Sequence, residues 1–99
     1  MLELFPVTAA VTEGELAIGG VKTTDLANEF GTPLVVYCEQ TLVDAARAYR
    51  ATAPDALVVY GVKAFPNLAL LDLFAGEGIG ADVSTLGELT YATRAGIPG

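Results

Sequence analysis

The sequence predicts an α/β fold built on a parallel sheet. From Thr41 onward, apolar residues recur alternately with helical spacing and in short continuous runs, which gives the order helix, strand, helix, strand, helix. This alternation is typical of parallel strands joined by right-handed crossovers. Two strand–helix units are present in the 99 residues, and two parallel strands leave both edges of their sheet open. We therefore expect the chain to be the amino-terminal piece of a larger fold.

Residues 1–37 form the first predicted segment, which consists of short strands and one short helix. Two apolar runs, Thr8–Val11 and Glu15–Ile18, flank a hairpin turn at 12–14, and two glycines at 19–20 supply a second turn. Antiparallel strands are expected here because the turns are too short for a crossover.

A short helix is predicted after the second turn. Thr24 is the expected N-cap, and Asp25 lies in the first turn, where its negative charge complements the helix dipole. Leu26 and Phe30 are four residues apart and share one face. Gly31 is a typical helix stop, so the helix should end there.

Residues 38–99 form the second predicted segment. The candidate strands are the apolar runs Leu34–Cys38, which leads into this segment, Leu57–Val62 and Ile79–Val83. The apolar stripes of the three helices are, in chain order, Leu42, Ala45, Ala46 and Tyr49; Leu68, Leu71 and Ala75; and Leu86, Leu89 and Ala92. Asn67 is the expected N-cap of the second helix, and Thr85 with Glu88 matches a capping box for the third. Arg47 and Arg50 lie off the first stripe and should face water.

Composition excludes several classes of function. Hydrophobic residues make up 53% of the chain, charged residues 17%, and the net charge is −7. Nucleic acid and anionic membrane surfaces are poor partners, because binding to phosphates requires clustered Lys and Arg. No run approaches membrane-spanning length, and the first residues lack the basic start of a signal peptide.

Cys38 is the single cysteine, so no internal disulfide can form, and a reducing cytoplasm fits this composition. It is expected to be a small buried residue, with a reactive thiol as the alternative. The sequence contains no histidine, which excludes Ser–His and Cys–His catalytic pairs within this chain.

Lys63 directly follows the apolar run Leu57–Val62, where a buried strand meets the loop before the next helix. This is the usual place for catalytic residues in α/β folds. Burial there would disfavour the ammonium form and leave an amine that can act as a nucleophile. A lysine that only extends to solvent is the alternative, and these residues alone favour it.

Four segments, in register over nearly the whole chain, carry a resemblance to a known family. They are Leu16–Val21 (LAIGGV), Phe30–Tyr37 (FGTPLVVY), Tyr60–Asn67 (YGVKAFPN), and Gly80–Ser84 (GADVS) with Gly87–Leu89 (GEL). The third resembles the lysine motif Tyr-Ala-Val-Lys-Ala-Asn of fold-type III pyridoxal-phosphate enzymes, and the others resemble diaminopimelate decarboxylases in particular. Gly61 replaces the usual alanine, and Phe65 replaces the usual asparagine and removes its amide.

The resemblance implies the fold and the reaction. The chain would be the amino-terminal fragment of a (β/α)8, TIM-like barrel, preceded by short strands that belong to a β-domain. The full-length parent would decarboxylate meso-diaminopimelate to L-lysine with pyridoxal 5′-phosphate, in the cytoplasm and as a homodimer, and the fragment would be inactive.

The resemblance also implies roles for three residues. Lys63 would be the catalytic lysine that binds the cofactor covalently, and Asp82 and Glu88 would lie near the cofactor. For Asp82 the alternative is a loop aspartate that binds backbone donors; for Glu88 it is the cap alone.

Two other interpretations stay open. The same cofactor could serve a decarboxylase of ornithine, arginine or a carboxylated polyamine, although the segments Leu16–Val21 and Phe30–Tyr37 favour diaminopimelate. Alternatively, the chain is a non-catalytic module for binding pyridoxal phosphate or a partner protein. No metal site is expected.

Overall fold

The computed structural model describes residues 2–99, and the chain divides after Asp44 into two compact units. A 3-10 turn at Leu2–Leu4 is followed by β1 (Ala10–Thr12), β2 (Glu15–Ile18), β3 (Val21–Lys22), α1 (Thr23–Phe30), α2 (Glu39–Thr52), β4 (Val59–Gly61), a 3-10 turn at Val62–Ala64, α3 (Leu68–Gly76), β5 (Gly80–Asp82) and α4 (Leu86–Arg94). Within residues 2–99 no helix has both the length and the apolar character to cross a membrane. The predicted α/β class is confirmed.

The first unit contains a three-stranded antiparallel sheet in the order β1-β2-β3. Thr12 pairs with Glu15, and the two residues between them, Glu13 and Gly14, have φ of 53° and 80°. Positive φ at both central residues is the type I′ geometry, whose twist matches that of the flanking strands. The predicted hairpin is therefore confirmed, although β1 begins at Ala10 rather than at residue 8.

Helix α1 begins two residues earlier than the sequence predicted. Its N-cap is Lys22, which makes no side-chain capping bond, so the prediction of Thr24 as the cap is wrong. The hydroxyl of Thr24 instead donates to the Glu15 carboxylate at 2.7 Å, and that of Thr23 donates to the Leu16 carbonyl at 3.1 Å. Both hydroxyls therefore attach the helix to β2. The predicted stop at Gly31 is confirmed.

The predicted strand at residues 34–38 is not formed, and this prediction is wrong. The segment is irregular, and Val35 is 77% exposed. A strand is defined by hydrogen bonds to a neighbour, and in the described part of the chain no strand pairs with this segment. An apolar run alone does not supply that neighbour.

The second unit contains the parallel pair β4-β5, in the register Val59 with Gly80, Tyr60 with Ala81, and Gly61 with Asp82. The predicted strand–helix alternation and parallel pairing are confirmed, with both strands shorter than the apolar runs that predicted them. The core is a cluster of three buried residues and the partly buried residues that pack on it: Val62, Leu71 and Ala95, with Tyr60, Ala81, Val83 and Ile97.

The capping predictions for α3 and α4 are confirmed. The Asn67 side chain accepts a hydrogen bond from the Leu70 amide at 3.0 Å, and the Thr85 hydroxyl accepts one from the Glu88 amide at 3.2 Å. Each bond satisfies one amide of the first turn that has no partner within its own helix. These caps fix where both helices start after their strands.

The predicted inward stripe of α4 is wrong in two of its three positions. Leu86 is 82% exposed and Leu89 is 48% exposed, whereas Ala92 is 5% exposed. Ala95, just after the helix, is also buried in the core. The inward face therefore carries small residues, and α4 packs against α3 beside the core of Val62 and Leu71.

Arg47 and Arg50 of α2 do not simply face water. Arg47 binds the Glu77 carboxylate with two hydrogen bonds of 2.8 and 3.0 Å, and Arg50 donates to the Glu77 carbonyl at 3.0 Å. Arg47 also holds the pKa of Glu77 below its usual value. The two arginines therefore join α2 to the end of α3, at positions where hydropathy alone predicted solvation.

Cys38 is buried, as predicted, but its surroundings are polar. The hydroxyl of Thr8 lies 3.1 Å from the sulfur, and the Cys38 carbonyl accepts from the Leu42 amide at the start of α2. A hydrogen bond from the Thr41 hydroxyl, with one from Thr8, lowers the pKa of the thiol to about 7. Hydroxyl and amide donors stabilise the thiolate in the absence of histidine.

This arrangement predicts how alkylation of Cys38 depends on pH. The rate with iodoacetamide should rise with a midpoint near pH 7, because only the thiolate reacts. Thr41→Val should move the midpoint up toward about 8.5, the ordinary value for cysteine. Thr41→Ser keeps the hydroxyl and is the control. A midpoint that does not differ between Thr41→Val and the unchanged chain would contradict this account.

Candidate functional site

Lys63 lies immediately beyond β4, in the 3-10 turn Val62–Ala64. The preceding residue, Val62, is fully buried, whereas the lysine side chain is exposed. Among residues 2–99, no carboxylate or carbonyl group pairs with its ammonium group. The sequence raised the possibility that Lys63 is buried. Residues 2–99 do not bury its side chain, and the amine is accessible to an incoming molecule.

Asp82 is the last residue of β5 and lies opposite Gly61, the last residue of β4. Because the strands are parallel, their carboxyl ends meet at one edge of the sheet. Lys63 follows Gly61 by two residues, so the lysine and the aspartate both lie at this edge. Asp82 is exposed, and within residues 2–99 its carboxylate has no hydrogen-bond or ion-pair partner. In the described part of the chain, no loop backbone amide donates to Asp82, so the alternative role of binding such donors is not supported.

Glu88 is in the first turn of α4, which follows the same edge of the sheet. Its carboxylate accepts a hydrogen bond from the Ser84 amide at 2.7 Å, while its own amide donates to Thr85. A capping box normally returns the carboxylate to the N-cap amide, and here it reaches one residue further back. The capping role predicted for Glu88 is therefore present, and it fixes the loop between β5 and α4.

The two departures from the family motif differ in consequence. A side chain at Gly61 would meet no atom within 4 Å, so the alanine usual at this position would fit. Phe65 is half-buried and ends the 3-10 turn that carries Lys63. Its carbonyl accepts a hydrogen bond from the Tyr60 hydroxyl at 3.5 Å. Phe65 thus lacks the side-chain amide of the usual asparagine, but its backbone carbonyl is bound by the Tyr60 hydroxyl.

Tyr60 is the residue at this site that the sequence analysis did not single out. It belongs to β4, and its ring meets the ring of Phe74 edge-on, with the centroids 5.1 Å apart. Its position in the lysine motif, three residues before Lys63, is the sequence feature that could have indicated a role at the site. Its contact with Phe65 depends on the turn and could not be deduced from spacing.

Within residues 2–99, the edge of the sheet therefore presents one unpaired amine and one unpaired carboxylate, and the Ser84 amide fixes a second carboxylate, that of Glu88. An exposed primary amine can bond covalently to an aldehyde, and a nearby carboxylate can orient polar groups of the same molecule. Among residues 2–99 no group of three or more potential metal ligands is present. The chemistry that these residues support is covalent binding of a carbonyl compound.

Residues 39–99 match the family described as pyridoxal-dependent decarboxylase, pyridoxal binding domain. The chain is 48% identical over 86 residues to diaminopimelate decarboxylase of Aquifex aeolicus, covering 87% of this chain and 20% of that protein. It is 42% identical over 95 residues to the enzyme of that name from Actinosynnema pretiosum subsp. auranticum, covering 96% of this chain and 22% of that protein. The chain thus spans about a fifth of the length of these relatives.

Two crystal structures have similar folds. One, of a protein from Aquifex aeolicus, has a TM-score of 0.90 at 43% identity and covers 98% of this chain and 24% of that one. The other is diaminopimelate decarboxylase from M. jannaschii in complex with L-lysine, with a TM-score of 0.75 at 33% identity, covering 93% of this chain and 23% of that one. This chain belongs to the pyridoxal-dependent decarboxylase family, and its residues 39–99 match the family's pyridoxal-binding domain.

Proposed function

We propose that the complete protein carrying this chain is a diaminopimelate decarboxylase, which converts meso-diaminopimelate to L-lysine and carbon dioxide. The observation that carries the proposal is the unpaired amine of Lys63 at the carboxyl edge of a parallel sheet, inside the matched residues 39–99. The relatives named above are diaminopimelate decarboxylases, and one related structure contains L-lysine. Lysine is the product that this reaction would release.

The residues of this edge fit pyridoxal phosphate as a covalently bound cofactor. Lys63 offers an amine that forms no ion pair with a side chain of residues 2–99, so its nitrogen is accessible for covalent bonding to an aldehyde. When bound, this cofactor supplies an electron-withdrawing ring that accepts the electron pair left by departing carbon dioxide. Lys63 would hold the aldehyde carbon in place, and the exposed Asp82 would be available to orient a polar or cationic group of the cofactor or substrate. Glu88 keeps the intervening loop in position through Ser84.

The other lysine of the chain is a poorer candidate. Lys22 forms ion pairs with Glu13 at 2.9 Å and with Glu15 at 3.2 Å. The hydrogen bond to Glu13, followed by that to Glu15, raises the pKa of Lys22. A protonated amine cannot attack an aldehyde, so these carboxylates oppose a covalent role for Lys22.

The wider architecture is part of the same proposal. The two strand–helix units of residues 38–99 would be the first units of a (β/α)8 barrel, and residues 1–37 would contribute strands to a β-domain. Both edges of the β4-β5 pair lack a partner strand among residues 2–99, as expected for part of a closed barrel. The complete enzyme would be a cytoplasmic homodimer, and this chain alone would be inactive because it lacks most of the cofactor's non-covalent contacts.

Lys63 is predicted to carry the label when the complete protein is reduced with borohydride in the presence of pyridoxal phosphate. Reduction makes the cofactor–lysine bond permanent, so peptide mapping reports the modified residue. Lys63→Ala should remove the label and the activity, whereas Lys22→Ala should keep both. Label on Lys22, or on a lysine outside this chain, would refute the assignment.

Substitutions of the two carboxylates, Asp82 and Glu88, are predicted to have different effects, one on cofactor retention and the other on stability. Asp82→Asn should weaken retention of pyridoxal phosphate by roughly ten-fold, the effect of losing one charged contact. Thermal unfolding should not change, because the Asp82 side chain has no hydrogen-bond or ion-pair partner within residues 2–99. Glu88→Gln keeps an acceptor for the Ser84 amide and is the matched control. Glu88→Ala should lower the free energy of unfolding by about 1 kcal/mol. Cofactor titration and thermal unfolding measure both effects; destabilisation by Asp82→Asn would contradict the assignment.

The complete enzyme is predicted to decarboxylate meso-diaminopimelate in preference to ornithine, arginine or a carboxylated polyamine. Release of carbon dioxide from each substrate at equal concentration gives the comparison. Turnover of ornithine alone would contradict the assignment of diaminopimelate as the substrate, but it would leave the assignment of pyridoxal phosphate as the cofactor unchanged. Saturable binding of pyridoxal phosphate that is lost in Lys63→Ala, with no turnover of any substrate, would instead indicate a non-catalytic binding module.

A further inference from the structure

Tyr60 connects the strand before Lys63 with the residue that ends the lysine's turn. Its hydroxyl donates to the Phe65 carbonyl at 3.5 Å. Lys63 lies between these two residues in the sequence. The hydrogen bond therefore closes a short loop of chain, and the lysine is inside it.

The ring of Tyr60 is itself held in place. It packs against the core of Val62, Leu71 and Ala95, and it meets the Phe74 ring edge-on at an interplanar angle of 68°. Edge-to-face pairs restrict the relative orientation of two rings, and a tyrosine has only two side-chain torsions to fix. The hydroxyl thus has a defined position relative to β4 and α3.

Within residues 2–99 the Lys63 side chain has no hydrogen-bond or ion-pair partner, so the backbone of the turn sets where it lies. On the amino-terminal side, the fully buried Val62 fixes the backbone. On the other side, Pro66 has no amide hydrogen to donate. The four-carbon lysine side chain converts a small rotation of its backbone into a large displacement of Nζ. A bond from Tyr60 to the Phe65 carbonyl limits that rotation.

We propose that Tyr60 is a positioning residue for Lys63: it holds the Val62–Phe65 turn so that Nζ meets the aldehyde carbon of pyridoxal phosphate. This inference rests on the proposed function. Bonding of the Lys63 amine to that carbon releases the aldehyde oxygen as water, with no change of oxidation state. At 3.5 Å the Tyr60 hydrogen bond is long, and we expect it to shorten when Lys63 is bonded, as hydrogen bonds at such sites do on ligand binding.

The test uses Tyr60→Phe, which keeps the ring and removes only the hydroxyl. In the complete protein freed of cofactor, the rate of covalent bonding of added pyridoxal phosphate, followed by absorbance, should fall roughly five-fold, the effect of one neutral hydrogen bond. Amide hydrogen exchange across residues 62–65, measured without cofactor, should become faster by a similar factor. Tyr49→Phe removes a hydroxyl from a tyrosine that is 70% exposed and should change neither quantity.

A second variant covers the case in which Tyr60→Phe does not fold. Phe74→Leu keeps the Tyr60 hydroxyl but removes the edge contact that orients it, so the same bonding rate and the same exchange should change in the same directions. If folded Tyr60→Phe matches the unchanged protein in both measurements while Lys63 is labelled in each, the role of Tyr60 is wrong and the proposed function stands. If borohydride labels no Lys63 in the unchanged protein, the proposed function fails first.

Discussion

The parallel pairing of β4 with β5 is the constraint on which the candidate site depends. The pairing of Gly61 with Asp82 brings the carboxyl ends of both strands to one edge of the sheet. Lys63, two residues after Gly61, therefore lies at the same edge as Asp82. An antiparallel pair would send the two residues to opposite ends of the sheet. The pairing in turn depends on a small core, since Val62 and Leu71 are its two fully buried side chains and each contributes about 2 kcal/mol.

That core leaves much apolar surface uncovered. Val35 is 77% exposed, Leu57 is 79% exposed and Leu86 is 82% exposed, and both edges of the two-stranded sheet lack a partner within residues 2–99. Exposure of this extent is unusual for a stable isolated domain and is typical of surface that another part of a protein covers. It fits the short span of this chain relative to the decarboxylases that it matches, and it agrees with the barrel that we propose.

The site combines rigid and open parts in a way that suits covalent binding. Caps at Asn67 and Thr85 fix the helices that follow the two strands, and Glu88 fixes the loop after β5 through the Ser84 amide. Among the residues that the structure describes, Lys63 and Asp82 have no such contacts, and their side chains are exposed. A preorganised backbone lowers the entropy lost when a ligand binds, because only the side chains remain to be ordered.

The sequence by itself determined the features that depend on neighbouring residues: the hairpin at Glu13-Gly14, the caps at Asn67 and Thr85, the strand–helix alternation, and the lysine motif that indicated the family. Local chemistry encodes these because each needs only a few adjacent residues. The tertiary structure alone decided which apolar runs become strands, since residues 34–38 find no partner, and which hydroxyls cap helices, since Thr24 binds Glu15 instead. It also turned α4 so that Ala92, not Leu86, faces the core, and placed the Tyr60 hydroxyl on the turn of Lys63. These outcomes depend on which elements pair and pack with one another, and no run of adjacent residues specifies that geometry.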